Sequence, residues 1–192
     1  MLRTLTSTAL AFAALALAGC ATPPDARPGH AHGGMMGGIG GMMKGSMAVA
    51  SLTPTQGNNV RGLVMFHQMD GQLMVHARIS GLKPNGEHGF HVHETGSCAS
   101  ADGTSAGGHF NPDAQPHGPQ TAAHHAGDLP ALKADANGVA DQKFMLTGPT
   151  VTAGPASVVA RSVIVHALPD DYATQPTGNS GARLACGVIA AH

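Results

Sequence analysis

The sequence predicts an all-β fold, an eight-stranded Greek-key barrel or sandwich carrying two long functional loops. Three observations carry this expectation. About eight short runs read as strands, and none repeats with a helical period. Gly, at 27, and Pro, at 13, punctuate these runs as turns. Two stretches, Thr95 to Gly127 and Pro169 to Gly181, contain no convincing element. The first spans roughly thirty residues, a length that a compact domain carries when the loop is functional and something stabilises it.

The elements follow in chain order. Order is expected from near Met47. "NNVRGLVMFHQMDGQLMVHARISGL" reads as two strands around a tight turn at Asp70-Gly71. In the second strand Leu73, Val75, Ala77 and Ile79 alternate with Gln72, Met74, His76 and Arg78. "EHGFHVHE" is the next apolar stretch. "LPALKAD" and "VADQKFMLTG" suggest a hairpin around Asn137-Gly138. "SVVARSVIVHAL" is a further strand region, and "ARLACGVIAA" closes the chain. Aromatic residues make up only 3% of the chain, so the core is expected to consist of Val, Ile, Leu, Met and a few Phe.

Residues 1–19 read as an export signal. Arg3 supplies the positive start, and Ala9 to Ala18 is apolar but short for a bilayer span. The segment ends in Leu17-Ala18-Gly19-Cys20, which resembles a bacterial lipobox. That resemblance implies cleavage before Cys20 and lipidation of its thiol. Ala21 rather than Asp follows, which implies sorting to the outer membrane, with the protein facing the periplasm. Residues 20–46 then form a Gly-rich tether that cannot bury enough apolar surface to fold alone. His30, His32, Met35, Met36, Met42, Met43 and Met47 gather there, including half of the ten methionines. Thioethers favour Cu(I) and imidazoles take Cu(II), so copper capture by this segment is an expectation. The folded domain is placed at 47–192.

With Cys20 assigned to the anchor, Cys98 and Cys186 remain. An exported chain lives where disulfides persist, so the two are expected to pair. A formal charge of −1 gives no reason to expect a nucleic-acid partner. Any membrane contact is expected through the lipid anchor alone, and a homodimer is left open.

Histidine, at 13, is the compositional oddity. On a strand through Phe90-His91-Val92-His93, inward Phe90 and Val92 leave His91 and His93 together on the outer face. Val163 and Val165 read as inward, which puts His166 near the strand end on the outer side. The long loop adds His109, His117, His125 and Asp128. Such nitrogen and oxygen donors suit zinc, and imidazole suits copper as well. His124 and His125 are adjacent, and consecutive residues do not easily reach one ion, so one of the two is a bystander.

The blocks "GFHVHETGSC", "SAGGHFNP", "HHAGDLP", "SVIVHALPDDY" and "GNSGARLACGVI" together resemble the copper/zinc superoxide dismutase family, in its order and spacing across about residues 47 to 192. The resemblance implies the following roles. Copper is held by His91, His93, His109 and His166. Zinc is held by His109, His117, His125 and Asp128, with the His109 ring shared. His124 has no role. Asp170 accepts hydrogen bonds from His91 and His117. Arg183 attracts the anionic substrate, superoxide, and His109 delivers a proton during turnover. The Cys98–Cys186 pair matches the family's disulfide. The second loop carries only two charges, Asp170 and Asp171, fewer than longer-looped members use to steer superoxide.

Two other readings stand beside this one. A non-catalytic copper-binding or copper-delivery protein of the same fold would have lost a copper ligand or the arginine, and neither is missing here. A zinc hydrolase is disfavoured because no His-Glu-x-x-His motif or placed general base is present. His67, His76 and His88 are expected in surface or structural roles, and the terminal His192 is expected to be disordered.

Overall fold

The computed structural model describes residues 46–192. The expectations for the export signal, the lipidated Cys20 and the tether, apart from Ser46, fall outside that range. The described residues form nine strands and one 3-10 turn, Thr104–Ala106, with no other helix among them. The strands are β1 (Met47–Pro54), β2 (Arg61–Met69), β3 (Gln72–Ser80), β4 (Glu87–His88), β5 (Phe90–His93), β6 (Leu132–Lys133), β7 (Ala140–Leu146), β8 (Ser162–His166) and β9 (Arg183–Ala191). Seven of them make one antiparallel sheet in the order β5-β8-β9-β1-β2-β3-β7, and β4 pairs with β6. The neighbours β5/β8, β9/β1 and β3/β7 are distant in sequence, as Greek-key crossovers require.

The expected all-β class holds, and the strand count differs for a local reason. "EHGFHVHE" is split at Gly89 into β4 and β5. Gly89 donates its N–H to Leu168 O at 2.8 Å and accepts from His166 N at 2.8 Å. A Cβ there would collide with the Ser180 side chain, so only glycine permits this approach.

The curled sheet is joined across its two edges by a side chain. Gln142 on β7 accepts the Lys133 N–H with its Oε1 and donates from Nε2 to Ala131 O at 3.3 Å. Its amide thus links β7 to the β4–β6 pair, which runs on through Gly89 into β5. This corrects the hairpin expected around Asn137-Gly138. The turn is present, with Asp135 Oδ1 accepting from the N–H groups of Asn137 and Val139 and Gly138 at φ +73°. Its two arms diverge, however: β6 pairs with β4 while β7 pairs with β3. The strand region expected from Ser157 is also shorter, because Val158 to Arg161 forms a turn before β8, with Ala160 at φ +61°.

Alternation in β3 turns Leu73, Val75, Ala77 and Ile79 inward, each at most 1% exposed. They pack with Val64, Phe66, Phe90, Val92, Leu132, Leu146 and Ile189 into one core. Full burial of each large side chain contributes roughly 1.5–3 kcal/mol. The expectation of methionine in this core is overturned: none of the described methionines is buried. His192, expected to be disordered, donates its backbone N–H to Met47 O at 2.8 Å.

The long loop covers the outer face of β5 and β8. Ile164 on β8 packs outward against Ala106, Cys186 and Cys98. Cys98 and Cys186 form the disulfide, bridging a separation of 88 residues with Cα atoms 5.7 Å apart. The loop also pairs with the free edge of β5. Val92 N donates to Gly127 O, Phe110 N to Val92 O, Glu94 N to Gly108 O and Leu129 N to Phe90 O. Gly127 is needed here, since a Cβ would strike Val92 O.

Replacing both cysteines by serine frees this loop in the unfolded chain. The expected loss is about 4–5 kcal/mol by the chain-entropy relation. Denaturant unfolding of the metal-free Cys98→Ser/Cys186→Ser protein measures it, and a loss under about 1 kcal/mol contradicts the tethering role.

Candidate metal centre

Edge pairing creates the site. The bridges His91↔Asp128 and His93↔His109 set two loop residues directly beside two β5 histidines. On the other side of β5, a bulge between Val165 and His166 re-aims the end of β8. His91 and His93 are only 0% and 1% exposed, although they lie outside the barrel, because the loop covers them.

Four imidazoles converge here, and hydrogen bonds commit one nitrogen of each. His91 Nε2 donates to Asp170 Oδ2 at 2.6 Å, and His93 Nδ1 to Gly107 O at 2.9 Å. His166 Nδ1 donates to Gly181 O at 3.1 Å. His109 Nδ1 lies 2.9 Å from Asp128 Oδ1. The nitrogens left are His91 Nδ1, His93 Nε2, His109 Nε2 and His166 Nε2. Those of His91 and His109 are buried without a hydrogen-bond partner, and those of His93 and His166 face each other at 3.4 Å. Orphaned buried nitrogens are rare unless something else uses them. Four nitrogens directed at one point fit a copper ion.

A second set surrounds Asp128 Oδ1. His109 Nδ1, His117 Nδ1 and His125 Nδ1 lie 2.9, 3.0 and 3.1 Å from it, and the His109 and His125 nitrogens are 3.4 Å apart. His117 Nδ1 makes this approach without hydrogen-bond geometry. Tetrahedral zinc with bonds near 2.0 Å separates its ligands by about 3.3 Å, so the set has the right size. Asp128 Oδ2 accepts the N–H groups of His125 and Gly118, which fixes the carboxylate. Each set of four could hold one ion, and His109 belongs to both, one nitrogen to each.

Asp170 ties the sets together. It accepts from His91 Nε2 on one oxygen and from His117 Nε2, at 2.9 Å, on the other. Sequence reasoning missed three residues that support this. Gln175 clamps the His117 backbone, accepting its N–H at 2.8 Å and donating to its O at 2.8 Å. Tyr172 donates its N–H to Asp170 Oδ1 at 2.7 Å, and its hydroxyl accepts the Ala131 N–H at 2.9 Å. Gly178, at φ +62°, leaves the room that Asp170 and His117 occupy, where a Cβ would overlap both. Only the glycine in "TGNSG" offered a signal, and a weak one. His124 is half-buried, bonded to Ala122 O, and belongs to neither set. His88 is buried and donates from Nδ1 to His166 O at 2.8 Å, a structural role. Asp171 caps the Ala173 and Thr174 N–H groups.

Burial sets most of the electrostatics. It lowers His91 to about 4, with the Asp170 hydrogen bond opposing, and His166 to about 3. His93 is likewise held well below its ordinary value by burial. These three are therefore neutral, as ligation requires. Burial also works against a charge on His117, but Asp128 and Asp170 outweigh it and raise that group to about 9. Both carboxyls stay ionised: their histidine hydrogen bonds overcome burial and hold them well below the ordinary range.

A cleft of about 130 Å³ reaches the first set. His93, His109, His166, Thr177 and Arg183 line it. The Arg183 guanidinium is held by Gly103 O and Gly107 O, each at 2.7 Å. Gly107 O also accepts from His93, so one loop carbonyl positions both the cation and an imidazole.

Comparison with known proteins agrees with this geometry. Residues 60–189 match the family described as copper/zinc superoxide dismutase (SODC). Among solved structures, the chain is similar to a double mutant of a SOD-like protein from Bacillus subtilis. That match has 37% identity and a TM-score of 0.64, covering 72% of this chain and 94% of the other.

Two outcomes are expected. Gly178→Ala displaces Asp170 from His117 and weakens zinc retention by about tenfold or more in competition with a chelator. Unchanged retention would show that the contact is idle. The metal-free protein should be most stable near pH 6.5. Below that, unfolding lets His91, His93 and His166 take up protons that the fold refuses, so stability falls toward pH 4. Above it, the fold retains a proton on His117 that the unfolded chain releases, so stability falls toward pH 9. Thermal unfolding across pH tests both limbs, and a flat profile contradicts the account.

Proposed function

Since the chain belongs to the copper/zinc superoxide dismutase family, we propose that it is an active superoxide dismutase. Copper would be held by His91, His93, His109 and His166, and zinc by His109, His117, His125 and Asp128. The observation that carries this reading is the position of His109, whose two nitrogens face two adjoining ligand sets beside a cleft lined by Arg183. Bound copper supplies alternating one-electron reduction and oxidation, so that superoxide becomes oxygen in one half-reaction and hydrogen peroxide in the other.

The chain's own residues perform the rest. Arg183 is permanently charged, and two of its five N–H donors are committed to backbone carbonyls. The remainder are available to a small anion entering the cleft. His109 Nε2 is the proton site nearest the substrate, and it can hold a proton and give it to the departing product. Its Nδ1 sits 2.9 Å from Asp128 Oδ1, and zinc held there by both groups would fix the ring and lower its basicity. Asp170 holds the His91 and His117 rings by their outer nitrogens.

A non-catalytic copper-binding role remains the second reading, because the structural relative is described as SOD-like. Against it stand the complete set of four histidines and the cleft arginine. Export and lipidation at Cys20, placing the domain in the periplasm at the outer membrane, are part of the proposal. The Cys98–Cys186 disulfide supports an oxidising compartment.

Metal analysis coupled to a superoxide-removal assay tests the activity. The protein is expected to bind copper and zinc one to one and to be active only with copper, and His91→Ala should abolish removal. Arg183→Ile should retain both metals but lose about tenfold or more in rate, with a flatter ionic-strength dependence. Copper-loaded protein without activity would favour the binding role.

A further inference from the structure

The described methionines all lie on one surface. Met47, Met65, Met69, Met74 and Met145 are each half-buried or exposed, and none joins the core. Methionine is ordinarily a core-filling residue, so this segregation to the outer sheet face is unusual. The strand register aligns them. Met47 on β1 stands opposite His67 on β2, His67 opposite Met74 on β3, and Met74 opposite Met145 on β7. One row across four strands therefore reads Met-His-Met-Met. In the next row, Met65 on β2 stands opposite His76 on β3.

We propose that this face is a surface site for Cu(I), with His67 at its centre and Met47 and Met74 on either side. Side chains directly opposite on adjacent strands have Cβ atoms roughly 5 Å apart. The long, flexible thioethers of Met47 and Met74 can lean toward the imidazole between them. Two thioethers and one imidazole form a soft donor set that favours Cu(I) over Zn(II) or Mg(II). The His67 ring makes no side-chain hydrogen bond among the described residues, so both of its nitrogens are uncommitted there. His76, by contrast, is held by Asp141 at 2.6 Å. The site lies on strands separate from the buried ligand sets and does not depend on the activity proposed for them.

The test uses the full chain, first loaded with copper and zinc, so that the buried sets are filled. Cu(I) is then added without oxygen, and its retention is measured against a chromogenic Cu(I) chelator. Two variants are compared with the wild type, Met47→Leu/Met74→Leu and His67→Asn, each leaving every residue before Met47 unchanged. The leucines preserve volume and apolarity, so the sheet is kept. The wild type is expected to retain one more equivalent of Cu(I) than either variant, or to hold that equivalent at least tenfold more tightly. Zinc uptake should be the same in all three. Equal Cu(I) retention in the wild type and both variants would overturn the proposal and leave the row as packing alone.

Discussion

Two buried carboxylates, Asp128 and Asp170, orient four imidazoles of the two ligand sets: His91, His109, His117 and His125. A neutral histidine has one donor nitrogen and one acceptor, and whichever partner takes the donor decides where the lone pair points. Asp170 takes Nε2 of both His91 and His117, which turns their Nδ1 atoms toward the two ligand sets. Asp128 gathers the Nδ1 atoms of His109, His117 and His125 around one oxygen. The His109 Nε2 is thereby left for the other set. Without these two anions, the same histidines would be a buried crowd with no assigned lone pairs.

The rest of the fold serves to hold those carboxylates in place. A barrel normally puts its chemistry in the interior or at the strand ends. Here the outside of β5 and β8 is converted into an interior by a loop. The loop is fixed at three points: the disulfide to β9, the backbone pairing along β5, and the Arg183 hydrogen bonds to Gly103 and Gly107. The last of these also aims the guanidinium, so the order of the loop and the charge of the cleft are one feature. A reduced, loosened loop would therefore disturb the clustered histidines and the Arg183 guanidinium together.

Much of this was legible in the sequence. The period-two pattern puts His91 and His93 on one face, and the Asp70-Gly71 turn and the β3 alternation lie where the residues imply. Other features depend on contacts that local pattern cannot express. The choice of His125 over its neighbour His124 rests on family resemblance alone; in the structure His125 Nδ1 lies 3.1 Å from Asp128 Oδ1, whereas His124 bonds Ala122 O. Gln175 grips His117 across 58 positions, and Gln142 bridges two strands with an amide, so neither has a local signature. The turn at Gly138 is local chemistry and legible, whereas the partner of β6 is chosen by tertiary packing. Composition does not tell which apolar side chains face inward, and the described methionines fall on the outward positions of their strands.

The central claim is that one side chain, His109, serves two adjacent metal ions. Paramagnetic resonance tests it most directly, with Cu(II) in the His91–His93–His109–His166 set and Co(II) replacing zinc at Asp128. A shared imidazole predicts that the two spins couple, so the copper signal seen with zinc is lost or strongly broadened when cobalt takes its place. A copper spectrum identical with zinc and with cobalt, at full occupancy of both ions, would contradict the account.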